Sequence, residues 1–470
     1  MKLRPRTFTC LALAGYLCAP QQADARGVFG PPAPPGTAAT PATAPQPAPA
    51  PVSATEPGPA VTPVDPHEPA SPVDDGEHES TVSLVDVFAL LKKKSPRYKV
   101  YEADVEVAKA DVVAARVLPN PVLQLAMLYL NVGFNQNGVA TYYANATLPL
   151  LVAGQRRMRV KTANAGVRSA EAGRELNYHE LAHEARSVFV EMQADQARLS
   201  TYDSAVADLA RLQALIAARR ASGVETDYDI LRIDVEAAAW KARRVEEEAA
   251  ARDAAGRLGV IVGVPDWNPR AEGALETIGV RGKGDTLWRE VERTQPAVVA
   301  AMRNEAYSSQ LIDLAKRERW PVPSITIGTV AIQNYYSIST QAGITVPLPV
   351  FDWGQGLMAR AKANNRRARL EKEVVVATSH AELKRALRLL AHHRHALVSF
   401  DSEIVAKLPG LARMAEDSFR AGEAQLIDLI DATRTRFEIE LTRIDMLEHV
   451  VQAEIDVLAI TGRIESKDGG

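Results

Sequence analysis

Residues 178–183 read Tyr-His-Glu-Leu-Ala-His, so His179, Glu180 and His183 spell an H-E-x-x-H. On a helix this spacing sets two imidazoles one turn apart on one face with a carboxylate beside them. Zinc hydrolases hold their metal and activate a water this way. A catalytic zinc needs a third protein ligand. The extended form of the motif would put Gly and His where this chain has Arg186 and Phe189, and no glutamate stands between Glu191 and Glu225 to serve from a second helix. A second run, His392, His393 and His395, places its imidazoles on different helix faces. The pattern therefore predicts no catalytic residue, no metal ligand and no cofactor. His179 and His183 are read as solvated or turned to a neighbouring rod, and the second run as solvated surface. A zinc metalloprotease using His179-Glu180-x-x-His183 is the enzyme-class alternative.

The elements that carry these histidines are unusual. No proline occurs between 150 and 264, so residues 156–220 are predicted as one helix, and 355–421 as another, kinked at Pro409-Gly410. Each would be about 100 Å long at about 1.5 Å per residue. Each leads through a Gly-containing turn into a return helix, 227–262 or 426–461. Each is preceded, before a pair of strands, by a helical stretch, 84–117 or 285–318, that closes at paired prolines. The opening and return helices together match the unbroken one, so they are expected to stack end to end beside it. Ile430, Phe437, Ile444, Val451 and Leu458 recur every seven residues, a coiled-coil seam. Rods of this length reach across a space; they do not enclose a substrate cleft.

The plan occurs twice. "LPNP" at 118–121 is answered by "WPVP" at 320–323, "LPLLVAGQ" at 148–155 by "LPVFDWGQ" at 348–355, and "SGVETDYDIL" at 222–231 by "AGEAQLIDLI" at 421–430. "LGVIVG" at 258–263 is answered by "LAITG" at 458–462. The offsets stay between 199 and 202 residues, too long for a solenoid unit. Between the helices lie two pairs of short strands, 122–131 with 140–148 and 324–333 with 337–348, with Asn137-Gly138 as a hairpin signal in the first pair. In the last strand Ile338, Thr340, Ala342, Ile344, Val346 and Leu348 share one face, and Ser337, Ser339, Gln341, Gly343 and Thr345 the other. Pro149 and Pro349 end the pairing; Gly154 and Gly354 allow the sharp turn into the long helix.

Bulk properties narrow the class. Of 470 residues 55 are basic and 58 acidic, so no positive excess marks a nucleic-acid partner. Lys2, Arg4 and Arg6, the apolar stretch 8–17 and Ala23-Asp24-Ala25 read as a secretory signal, with both cysteines, Cys10 and Cys18, inside it. Fifteen of the 29 prolines fall between Pro31 and Pro72, which reads as an extended, disordered spacer. Beyond the signal no run of 18 apolar residues occurs, so a membrane span would have to be a closed β-barrel. Four strands are too few to close one, so several chains would share it; a small soluble sheet packed on the rods is the alternative.

These features resemble the TolC family of outer-membrane efflux proteins over about residues 84 to 464. The resemblance is carried by "LPNPVL", "LPLLVAGQRRMRV", "LPVFDWGQGLMARA", the run Gly422, Asp428, Asp431, and the duplication itself. It implies a mainly α protein with a small β part, two transmembrane β-hairpins per chain, and a homotrimer forming a shared 12-stranded barrel in outer-membrane lipid above an α-helical tunnel in the periplasm. It implies a passive duct of a tripartite system, served by a periplasmic adaptor and a proton-driven inner-membrane pump, carrying metal cations or small toxic molecules. A duct for one-step protein secretion is the alternative within the family. "LPNP" and the stretch 407–432 look most like the cobalt–zinc–cadmium or copper exporters. The resemblance also places a periplasmic gate at Asp229, Phe419, Asp428 and Asp431, on tip turns at Gly223 and Gly422; the alternative is that Asp428 and Asp431 simply occupy the first turn of a helix, where the dipole favours acids. The expected organisation is a signal peptide at 1–25, the spacer at 26–83, repeats at 84–270 and 271–464, and a tail at 465–470.

Overall fold

The computed structural model describes residues 80–130, 139–221, 226–280, 284–333 and 337–466. They belong to the unit Asp74–Gly470; the unit Met1–Val73, with the signal and nearly all of the spacer, lies outside the described residues, as do Asn137-Gly138, Gly223 and 467–470.

Residues 156–220 form one helix, as expected. α1 (Leu84–Lys94) and α2 (Pro96–Arg116) lead to β2 (Val122–Leu130) and β3 (Val139–Pro149); α3 runs unbroken from Gln155 to Ala221, and α4 (Asp227–Val262) returns. The second repeat has α5 (Gly284–Thr294), α6 (Pro296–Glu318), β5 (Ser324–Ile332), β6 (Ser337–Thr345), α7 (Gln355–Glu403), α8 (Leu408–Ala421) and α9 (Leu426–Thr461). A short parallel pair, β1 (Thr81–Val82) with β4 (Arg270–Ala271), was not foreseen; β1 lies inside the segment 26–83 read as spacer.

Two helix expectations need correction, both because of proline. The opening stretches are not single helices: each breaks at the residue before a proline, Ser95 before Pro96 and Gln295 before Pro296. There the ring disfavours α geometry, and Ser95 takes ψ 122°. The second long helix is not merely kinked at Pro409. It ends at Glu403, passes through a 3-10 turn at Val405–Lys407 and restarts at Leu408. Pro409 cannot donate to the carbonyl four residues back, at Val405, and its ring crowds that carbonyl, so the break falls upstream and proline occupies the new first turn.

The end-to-end stacking follows the same plan in both repeats. α4 stops at Gly263 (φ +89°), and α9 at Gly462 (φ +77°). A Cβ on Gly263 would lie 2.5 Å from Pro96 Cδ and 3.1 Å from Lys94 O; one on Gly462 would lie 3.0 Å from Thr294 O. The Ser95 hydroxyl donates to Ile261 O at 2.9 Å, and that of Thr294 to Thr461 O at 3.3 Å. The return helix therefore abuts the proline break of the opening helix, and both lie along the long rod. Ile430, Phe437, Val451 and Leu458 are buried and Ile444 is half-buried, so the heptad seam holds along α9.

At one end of the rods the strands form an antiparallel sheet in the order β2-β3-β5-β6. The register, with Leu125 opposite Ala144, Ala144 opposite Thr329 and Thr329 opposite Thr340, sorts the side chains. One face carries Leu123, Leu125, Met127, Tyr142, Leu148, Ile325, Ile327, Ile338 and Ile344, with Leu125 73% and Ile338 78% exposed. The other carries Gln124, Tyr143, Asn145, Thr147, Thr326, Ser339 and Gln341. Thr147 and Thr326 hydrogen-bond across it at 3.0 Å. Among the described residues β2 and β6 each pair on one side only, and the four strands hold no charged side chain. β6 ends at Thr345, short of the expected 348, because Pro347 and Pro349 cannot donate to a ladder.

Candidate functional site

The H-E-x-x-H does not converge. His179 Nε2 lies 2.7 Å from Ala459 O and His183 Nε2 lies 3.1 Å from Asp456 Oδ1, so each imidazole packs on α9, while Glu180 is exposed. Burial, then the neighbouring His183, holds the His179 imidazole below its ordinary value and favours the neutral ring. Among the described residues no group of three His, Cys, Asp or Glu is placed to hold a metal ion. The second run departs from expectation: His393 is half-buried, stacked on His449 at 5.5 Å with His392 edge-on at 6.0 Å, while His392 and His395 are exposed.

At the end of the rods away from the sheet, the ends of α3 and α8 meet the starts of α4 and α9. A shared core of Leu209, Ile216, Ile233, Trp240, Phe419, Leu426 and Phe437 brings both tips together. Phe419 is buried in it, with the Arg219 guanidinium 4.4 Å from its ring centre and an Arg219 N–H donating to its carbonyl at 3.2 Å. The acidic side chains have local work. Asp229 accepts from the Thr226 N–H at 2.9 Å and the Thr226 hydroxyl at 2.5 Å, closing a capping box that starts α4. Those two bonds hold its carboxyl below the usual carboxylate range. Asp428 accepts from the Gln425 N–H at 2.9 Å and does the same for α9. Asp431 is exposed one turn on, and Gly422 (φ +76°) caps α8.

The strand-to-helix switches are also duplicated. After Pro149 and Pro349 the chain turns at Gly154 (φ +74°) and Gly354 (φ +82°). Gln155 Oε1 accepts from Ala153 N–H and Gln355 Oε1 from Trp353 N–H, each at 2.9 Å. These glutamines were visible as the repeated "GQ" but carried no role in the sequence reading. Sequence reasoning missed a further hub. Arg198 on α3 donates to Glu247 on α4 at 2.7 Å, to Asp445 and Glu448 on α9 at 2.9 and 2.8 Å, and to Asp195. Only the assembled rods bring these carboxylates together.

Residues 88–264 match the family described as outer membrane efflux protein. The cobalt-zinc-cadmium resistance protein CzcC of Cupriavidus metallidurans is 24% identical over 365 residues, covering 77% of this chain and 85% of the relative. Over residues 88–264 the chain is an outer membrane efflux protein. Its fold recurs in solved channels of that kind. The outer-membrane channel OprN superposes with a TM-score of 0.65 at 21% identity, covering 81% of this chain and 89% of OprN. CusC superposes with a TM-score of 0.67 at 14% identity, covering 81% and 92%. OprN and CusC are channel proteins rather than enzymes.

Proposed function

We propose that three copies of this chain share one twelve-stranded barrel and continue it as a helical tunnel, a passive duct from periplasm to exterior. The sheet carries the reading. One face is largely apolar, the other mixed, with hydroxyls and amides among Val122, Leu128 and Val330 but no charge, and both outer edges are unpaired among the described residues. Four strands cannot close a barrel, and an open edge is not tolerated in lipid. A head-to-tail ring that pairs β6 of one copy with β2 of the next removes every edge and keeps the alternation antiparallel. The apolar face then meets lipid and the polar face lines the lumen. The decisive measurement is the mass of the detergent-extracted protein by light scattering, with detergent subtracted. Three chains per particle are expected; a soluble monomer would overturn the assembly.

The duct takes its energy from elsewhere: a proton-driven inner-membrane pump, coupled through a periplasmic adaptor, delivers the substrate. CzcC is by name a cobalt–zinc–cadmium resistance protein. Together with exposed acids at the tip, that name favours metal cations as cargo, with small toxic molecules as the broader class. Asp428 and Asp431 are proposed to line the periplasmic constriction, with Asp229 beside them. Because Asp428 also caps α9, alanine would confuse charge with folding. Asp428→Asn with Asp431→Asn keeps an acceptor for the Gln425 N–H. Single-channel recordings are expected to lose cation preference at a nearly unchanged Tm. Unaltered selectivity would remove both residues from the constriction.

A further inference from the structure

We propose that the chain just beyond the sheet forms a docking collar for anionic phospholipid headgroups of the leaflet facing the periplasm; this rests on the duct reading above. The strands hold no charge, and charge returns at once where they end. Segments 111–120, 150–162, 313–320 and 350–362 lie within about 12 Å of the switches along the helices. They hold ten basic residues against four acidic ones. Two of the acids are already engaged: Glu318 accepts from Arg159 at 2.7 and 3.0 Å, and Asp313 from Lys316 at 2.8 Å.

The remaining basic groups are exposed and make no ion pair among the described residues. Arg156 and Arg319 spend their Nε–H on the carbonyls of Arg116 and Trp353, at 2.8 and 3.1 Å, which ties the switches. Arg157, Lys161, Arg317 and Arg360 are exposed, and among the described residues none has a carboxylate within ion-pair distance. Uncompensated like charges repel, and threefold assembly would concentrate them; an external anion relieves this.

Apolar side chains mark the depth. Trp320, Trp353 and Phe351, the last 91% exposed, stand between the apolar face and the basic residues. The order apolar face, aromatic, basic reproduces the order acyl chain, interface, headgroup. All three aromatics come from the second repeat; the first answers with Leu118, Ala153 and Leu151, so the grip on the interface is uneven around each chain.

The test is thermal unfolding of the detergent-purified full chain with added phosphatidylglycerol or phosphatidylcholine. Phosphatidylglycerol is expected to raise Tm by several degrees more than phosphatidylcholine. The variant Arg157→Gln, Lys161→Gln, Arg317→Gln, Arg360→Gln is expected to keep the trimer mass and lose that difference. Should the variant not assemble, tryptophan quenching of the parent protein by brominated phosphatidylglycerol, stronger than by brominated phosphatidylcholine at equal mole fraction, supports the collar instead. An equal response to both lipids overturns it, and so does an equal Tm gain from inorganic phosphate, which marks a free-anion site. A trimer without lipid discrimination defeats the collar alone; the absence of a trimer defeats the duct reading.

Discussion

Gly263→Ala is expected to destabilise the helical body by about 2–5 kcal/mol, the sum of a left-handed backbone that alanine resists and a core contact with no room to give. The new methyl would sit 2.5 Å from Pro96 Cδ and 3.1 Å from Lys94 O. A proline ring and a backbone carbonyl cannot step aside as a flexible side chain can. Two glycines in the same role supply the controls. Gly462 caps α9 with a gentler approach, 3.0 Å to Thr294 O, while Gly422 caps α8 with no atom within 4 Å of its would-be Cβ. Gly422→Ala pays only the backbone term, about 1 kcal/mol. The ranking of Tm losses is therefore Gly263, then Gly462, then Gly422. Equal losses at all three would show that left-handed strain alone is felt and that the abutment of α4 on Pro96 contributes nothing.

The second large effect concerns the sheet. Ile327 lies on the apolar face of β5, opposite Ala146 and Ala342; Ser339 lies on the polar face of β6, opposite Val330, and is exposed. In the proposed barrel, Ile327→Arg would put a charge into hydrocarbon at a cost of about 2–4 kcal/mol near the bilayer midplane. At about 1.4 kcal/mol per tenfold, trimer recovered from outer membranes should fall by at least about tenfold. Ser339→Arg would face water in the proposed lumen and should leave the yield near that of the parent. Equal depletion by both substitutions would mean that the two faces do not divide lipid from water.

Much of this architecture was legible before any coordinates. The ends of α4 and α9 fall where the return helices were read, because a capping acid opens each and a glycine closes each. The strands emerged within a residue or so, apart from the overlong β6, because Pro149, Pro323 and Pro349 bound them and alternation marks their faces. The misses share one cause. Pro96 and Pro296 were in plain view, yet they look like ordinary helix-start prolines unless the preceding helix is known to end against another element. The β1–β4 pair joins residues almost 190 apart and is two residues long, so no local pattern announces it. Arg198 reads as one more charged helix position, because its four acids lie on three helices. The histidines illustrate the converse. His179 and His183 satisfy a metal-site spacing, but what they do is decided by α9, some 275 residues away, and α9 offers a carbonyl and a single carboxylate.

The uncharged strands bear on what an ion would experience in transit. In the proposed barrel the inner wall, hydroxyls and amides among Val122, Leu128 and Val330, holds no fixed charge, so selection by charge would rest on the acids at the tip. A cation admitted at the tip would find neither a trap nor a repeller in the barrel, only dipoles that reorient as it passes. Selection and conduction would then be spatially separate, one assigned to the helical mouth and the other to a stretch that is electrically blank.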